Sequence, residues 1–223
     1  MIDHRAKKSL GQNFLIDPNA LHKLVSALQL GPDDVVIEIG PGTGLLTSLI
    51  QPIVHTLLAV ELDSQLVIRL RNTFAECANV EIRHADILKT DLQEWIGPRR
   101  ARIVGNIPYY ITTPIIFHVL DHPGQIRDMA LLMQKEVAER IVAQPNSKAY
   151  GILSVISQAC ANVECLLQVP ASVFRPRPKV DSALVRWSFP AEPEARIADH
   201  ELFRRLVRTA FNQDRKSTRL NSS

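Results

Sequence analysis

Asn106-Ile107-Pro108-Tyr109 follows directly on the short apolar run Ile103-Val104-Gly105. The tetrapeptide combines an amide, a carbonyl followed by proline, and an aromatic face at a predicted strand end. Two acceptors, the Asn106 side-chain oxygen and the Ile107 carbonyl, could take both hydrogens of an exocyclic amine on a planar ring. Such an amine is a poor nucleophile because its lone pair is delocalised into the ring. Holding its hydrogens favours a more tetrahedral nitrogen with an available pair. Pro108 biases Ile107 toward extended backbone and so fixes where that carbonyl points, while Tyr109 would stack on the ring. Taken alone, a proline-containing turn with a structural asparagine would explain the same four residues.

A second constellation lies upstream, Glu38-Ile39-Gly40-Pro41-Gly42-Thr43-Gly44. A glycine turn between a first strand and its helix lets backbone approach a ligand closely. The spacing Gly40-x-Gly42-x-Gly44 fits the dinucleotide fingerprint G-x-G-x-x-G poorly. The acid before it suits S-adenosylmethionine, whose sulfonium and amino-acid ammonium are positive. Glu61, ending the next strand, could accept two ribose hydroxyls. Asp86, ending the one after, could accept from the cofactor's adenine amine. Glycine turns flanked by acids occur in many α/β loops; acids at both following strand ends favour the cofactor. Methyl transfer to a held amine calls for no strong general base, because the nitrogen that gives its pair to the methyl becomes acidic. Positioning, worth up to about 7–11 kcal/mol, would supply most of the acceleration.

Those residues need a scaffold of alternating strands and helices. Strands are expected over 35–39, 57–61, 80–83, 103–104, 128–133, 163–169 and 182–189. Helices are expected over 18–28, opened by Asp17-Pro18, then 45–50, 63–76, 114–120, 136–142, 151–160 and 202–211. The alternation predicts an α/β, Rossmann-like fold with a mostly parallel sheet and an antiparallel pair, 163–169 with 182–189, at one edge.

At 223 residues the chain holds one generous α/β domain, and 46% hydrophobic with 22% charged residues is ordinary for a globular protein. No apolar run approaches the ~20 residues of a membrane span. The basic start, Met1 to Lys8, leads into no apolar segment, so no secretory signal or membrane partner is expected and the default compartment is the cytoplasm. Cys77, Cys160 and Cys165 form no C-x-x-C pair, which gives no reason to expect a metal. Net charge is only +3, but basic groups cluster at His4-Arg5-Lys7-Lys8, Arg99-Arg100-Arg102, Arg175-Arg177-Lys179 and Arg204-Arg205-Arg208. Converging on one face they could meet phosphates; singly, each is an ordinary solvated surface.

The tetrapeptide, together with Ser9-Leu10-Gly11-Gln12-Asn13-Phe14-Leu15, Tyr150-Gly151-Ile152-Leu153-Ser154-Val155 and the run Val173 to Ala183, closely resembles the ribosomal RNA adenine N6,N6-dimethyltransferases. The likeness covers roughly residues 5 to 213. It implies transfer of two methyls from S-adenosyl-L-methionine to each of two adjacent adenosines near the 3′ end of small-subunit ribosomal RNA, with the immature small subunit as partner and a monomer as the acting form. By the resemblance, Asn13, Leu15, Gly40, Gly42, Glu61, Asp86 and Asn106 contact the cofactor, Gln12 to Leu15 form a lid over it, and Tyr109 and Phe174 sandwich the base. Tyr110 and Ile152 depart from the family, which commonly has asparagine and arginine there. Residues 1–213 are expected to form the catalytic domain. Residues 214–223, polar and without helical periodicity, stand where the family continues into a small helical domain, so a truncated copy is expected. Two rivals are a resistance methyltransferase acting on large-subunit RNA and a ribosome-assembly factor that keeps the fold without turnover. Gly11 ahead of Gln12 and the run Pro178 to Ala183 favour the first reading.

Overall fold

Asp17, extended in backbone, accepts a hydrogen bond from the Ala20 amide at 2.8 Å, and Pro18 occupies the first turn, where no intrahelical donor is needed. These two residues start helix α1 (Pro18–Leu28), just after the two-residue strand β1 (Phe14–Leu15). The computed structural model describes residues 11–96, 99–191 and 197–220. In chain order there follow β2 (Val35–Ile39), α2 (Leu45–Ile50), β3 (Thr56–Glu61), α3 (Ser64–Thr73), β4 (Val80–His84), α4 (Leu92–Ile96), β5 (Ala101–Asn106) and α5 (Thr112–Leu120). The second half holds β6 (Ile126–Gln134), α6 (Lys135–Val142), α7 (Ile152–Cys160), β7 (Asn162–Val169), β8 (Phe174–Arg175), β9 (Ser182–Ser188) and α8 (His200–Leu220).

Seven strands form one sheet in the order β4-β3-β2-β5-β6-β9-β7. Those from β4 to β6 are parallel; β9 runs antiparallel to both β6 and β7. The expected antiparallel pair is therefore present, with β7 outermost. The chain winds outward from β2 through β3 to β4, then returns to β2's other side as β5. That reversal makes the crevice beyond the carboxyl ends of β2 and β5 the natural ligand site of such a sheet.

Both faces are covered, so the central strands are apolar almost throughout. Ile37, Ile103 and Leu131 pack with Ile115, Ile116, Ile141 and Trp187 in one core layer. Their neighbours Val36, Val104 and Leu132 pack with Leu21, Leu24 and Leu28 in the other. The alternation by single residues is the period-2 signature of strands.

The amino-terminal ends of these strands are pinned by one buried cation. Arg102, 4% exposed, pairs with Asp34 at 2.7 Å and Asp128 at 2.9 Å and donates to the carbonyls of Leu28 and Gln29. Its neighbour Arg100 donates to the carbonyls of Ile126 and Phe189. Two arginines of the 99–102 cluster are thus engaged in structure at the end opposite the crevice. The cluster 4–8 lies outside the described residues.

Three local features depart from expectation. The two-residue strands β1 and β8 pair antiparallel as a separate sheet, too short for any periodicity to announce. Helix α4 was not expected, for the same reason of length. Helix α8, expected to close at Phe211, runs to Leu220, because no glycine or proline interrupts 200–220.

Replacing Arg102 by alanine would leave Asp128 without its counter-ion and Asp34 with Arg127 alone, at 3.1 Å. Arg102→Ala should lower unfolding free energy by about 3–5 kcal/mol in urea titration; a loss under about 1 kcal/mol would show that water replaces the arginine.

Candidate active site

Gly40, Gly42 and Gly44 all take left-handed backbone, with φ of 68°, 58° and 84°. An added Cβ would sit 2.9 Å from the Phe14 ring at Gly42 and 2.9 Å from Leu70 at Gly44. The turn therefore closes under the amino-terminal segment only because Gly42 carries no side chain. Its backbone is tied to the next strand: the Gly40 amide donates to the Val60 carbonyl at 2.9 Å, and the Gly42 amide to Glu61 Oε2 at 3.1 Å.

Three carboxylates face this turn. Glu61 accepts from the amides of Leu62 and Asp63, both at 2.9 Å, as well as from Gly42. Burial raises its pKa, and those three donors oppose the rise. Asp86 caps a short 3₁₀ turn, accepting from the Leu88 amide at 3.1 Å. Glu38, 1% exposed, is pushed up to about 7 by burial, with Thr47 acting against the shift and the charge of Glu61 adding to it. Its Oε2 is buried and meets no hydrogen-bond donor.

Across the reversal, β5 delivers Asn106. Ile39 stands opposite Gly105, and a Cβ on Gly105 would come within 2.9 Å of the Ile39 carbonyl oxygen. This closeness sets the amide beside the glycine turn. Asn106 Nδ2 donates to the Asn13 carbonyl at 3.1 Å, which leaves Oδ1 unspent by that contact. Tyr109 opens a 3₁₀ turn and joins its hydroxyl to Ser182 Oγ at 2.8 Å.

Asn13, Leu15, Gly40, Gly42, Glu61, Asp86, Asn106 and Tyr109 line one cavity. Glu38 lines it too, as do Leu62 and Tyr110, which the sequence had not marked as contacts. Phe174, expected as the second face for a base, is a correction. It is 1% exposed, does not line the cavity, and packs with Leu15, Leu21 and Leu24. Pairing of β1 with β8 sets Leu15 opposite Phe174 and covers the ring, and burying such an aromatic is favourable by several kcal/mol at ~25 cal/mol per Å². Arg175, Arg177 and Lys179 stay exposed on the segment that follows it.

A family model described as ribosomal RNA adenine dimethylase matches residues 3–222. Ribosomal RNA small subunit methyltransferase A of Alkaliphilus metalliredigens is 42% identical over 217 residues, covering 96% of this chain and 76% of that protein. The protein of the same name from Latilactobacillus sakei is 46% identical over 216 residues, 95% of this chain and 73% of its own. Among solved structures, a dimethyladenosine transferase from Plasmodium falciparum aligns with a TM-score of 0.78 at 28% identity, covering 87% of this chain and 69% of the other. The 23S rRNA methyltransferase ErmE aligns at 0.76 and 30% identity, covering 89% and 79%.

Glu38 gives the cavity a pH signature. A carboxyl whose pKa is raised in the folded state holds its proton more tightly there than when unfolded. Its contribution is fully present below the unfolded value of 4.5 and is lost as pH rises to about 7. The stability of the ligand-free protein should fall between pH 5 and pH 8, and Glu38→Gln should flatten that fall by up to about 3 kcal/mol, leaving the part due to Glu61. Equal pH dependence of the two proteins in urea titration would contradict the assignment.

Proposed function

The chain belongs to the ribosomal RNA adenine dimethylase family, and on that premise we propose that it dimethylates N6 of two adjacent adenosines near the 3′ end of small-subunit ribosomal RNA. The enzyme is an S-adenosylmethionine-dependent ribosomal RNA adenine dimethyltransferase. In this reading it acts as a monomer, in the cytoplasm, on immature small subunits. The observation that carries the proposal is the shared cavity, in which the Asn106 amide meets the glycine turn and three acids.

The residues present fit the methyl donor. Left-handed glycines at 40 and 42 that expose backbone to the cavity, and a buried Glu38 oxygen without a donor, suit a cationic ligand lying close on backbone. Bound there, S-adenosylmethionine supplies an electrophilic methyl on a sulfonium. Glu61 would take the ribose hydroxyls and Asp86 the cofactor's adenine amine, while Phe14 and Leu15 exclude water from above. Asn106 Oδ1 and the Ile107 carbonyl would accept the two N6 hydrogens of the target, and Tyr109 would stack on its ring. Once the nitrogen shares its pair with the methyl it carries two acidic protons, one of which passes to water without a strong base. The monomethylated amine keeps one hydrogen, which leaves in the same way in the second transfer. Phe174 enters only as core support beneath the strap of β1.

A base must leave its stack to enter this cavity, at a cost of a few kcal/mol, so the substrate should be a loop or an exposed helix end rather than perfect duplex. The likeness to a 23S rRNA methyltransferase makes large-subunit RNA the rival substrate.

Incubation with methyl-labelled cofactor and immature small subunits should label small-subunit RNA; label confined to large-subunit RNA, or none, would overturn the proposal. Asn106→Ala should abolish turnover yet keep most cofactor affinity, and half the wild-type rate would sink its role. Tyr109→Ala should lose about 1–3 kcal/mol of stacking, read as weaker RNA binding with methylation reduced to match.

A further inference from the structure

Ser182, the first residue of β9, and Asp181 before it tie neighbouring segments together beside Tyr109. Asp181 accepts from the Ala171 amide at 2.8 Å through its side chain and from the Lys135 amide at 3.0 Å through its carbonyl. Ser182 reaches the other way, to the Tyr109 hydroxyl. Its own backbone is held on both sides, opposite Gln134 of β6 and Val169 of β7, and the residue is 0% exposed. Tyr109 has no such support: it opens a 3₁₀ turn without a side-chain cap, just past a strand end. The Ser182 hydroxyl thus holds the far end of a ring whose near end rests on a turn. Burial, with the charge of Asp181 adding to it, keeps the Tyr109 hydroxyl protonated well above neutrality, so the contact persists across physiological pH.

We propose that Ser182 is a positioning residue for methyl transfer: its hydroxyl fixes the plane of the Tyr109 ring, and with it the height at which a stacked adenine presents N6 to Asn106. Ser182 does not line the cavity and reaches it only through the Tyr109 ring. The inference rests on the reading that the target base stacks on Tyr109. Tyr109→Phe and Ser182→Ala then delete the same hydrogen bond from its two ends, and their effects must coincide.

The test is single-turnover methylation of immature small subunits by Ser182→Ala, Tyr109→Phe and the double variant, with S-adenosylmethionine dissociation constants for each. Each single variant should be about five- to tenfold slower, as loss of one hydrogen bond implies. The double variant should be no slower than the slower single one, with cofactor affinity within about twofold throughout, since the residues act as one unit. Wild-type rates in either single variant, or losses that multiply in the double, would overturn the proposal. Should Ser182→Ala fail to fold, Tyr109→Phe leaves β9 intact and decides alone by the same criterion. If the wild-type chain itself leaves small subunits unmethylated, the base-binding reading fails and this inference falls with it.

Discussion

The parallel pairing of β2 with β5, with Ile39 opposite Gly105, is the constraint on which the site depends. A sheet that winds one way from β2 and resumes on its other side opens a crevice at that junction. Into it one strand delivers a glycine turn and the other an amide. The approach is tight enough that Gly105 has no room for a Cβ beside the Ile39 carbonyl. Widening that pair would separate Asn106 from the turn, and neither half could compensate.

Around that junction the molecule divides its charges by location. At the amino-terminal ends of the strands, Arg102 and Arg127 pair with Asp34 and Asp128, and Arg102 draws two helix-end carbonyls to itself. At the carboxyl ends, Glu38 and Glu61 sit buried without a cationic partner among the described residues, and burial raises both. Uncompensated acids are costly in a folded protein, and their concentration at one cavity is what a cationic ligand would relieve. The first arrangement serves stability and the second binding.

What the chain reveals before folding follows from how far each signal reaches. Asp17-Pro18, the glycine spacing and the acids at successive strand ends act within one turn or one strand, so most helices and strands, and the turn and acids that line the cavity, could be read directly. Residues whose role depends on distant partners could not. Ser182 meets Tyr109 across 73 positions, and nothing local marks it. Arg102 looked like part of a solvated cluster, yet a buried ion pair needs three strands in register before it exists. Phe174 was expected against a base only through the family resemblance, and its burial depends on the pairing of β8 with the two residues of β1. The Asn106 tetrapeptide is intermediate: its chemistry was legible, while the Asn13 carbonyl that orients its amide belongs to a segment 93 residues away.

The central claim is that the β2–β5 junction brings a methyl donor and an adenine amine together at Asn106. A crystal structure of the chain with S-adenosylhomocysteine, the demethylated cofactor, and adenosine monophosphate tests it most directly. The account predicts the cofactor ribose on Glu61 and the second adenine stacked on Tyr109, its N6 within about 3 Å of Asn106 Oδ1. An adenine bound elsewhere, or turned so that N6 faces away from Asn106 with Tyr109 left bare, would contradict it.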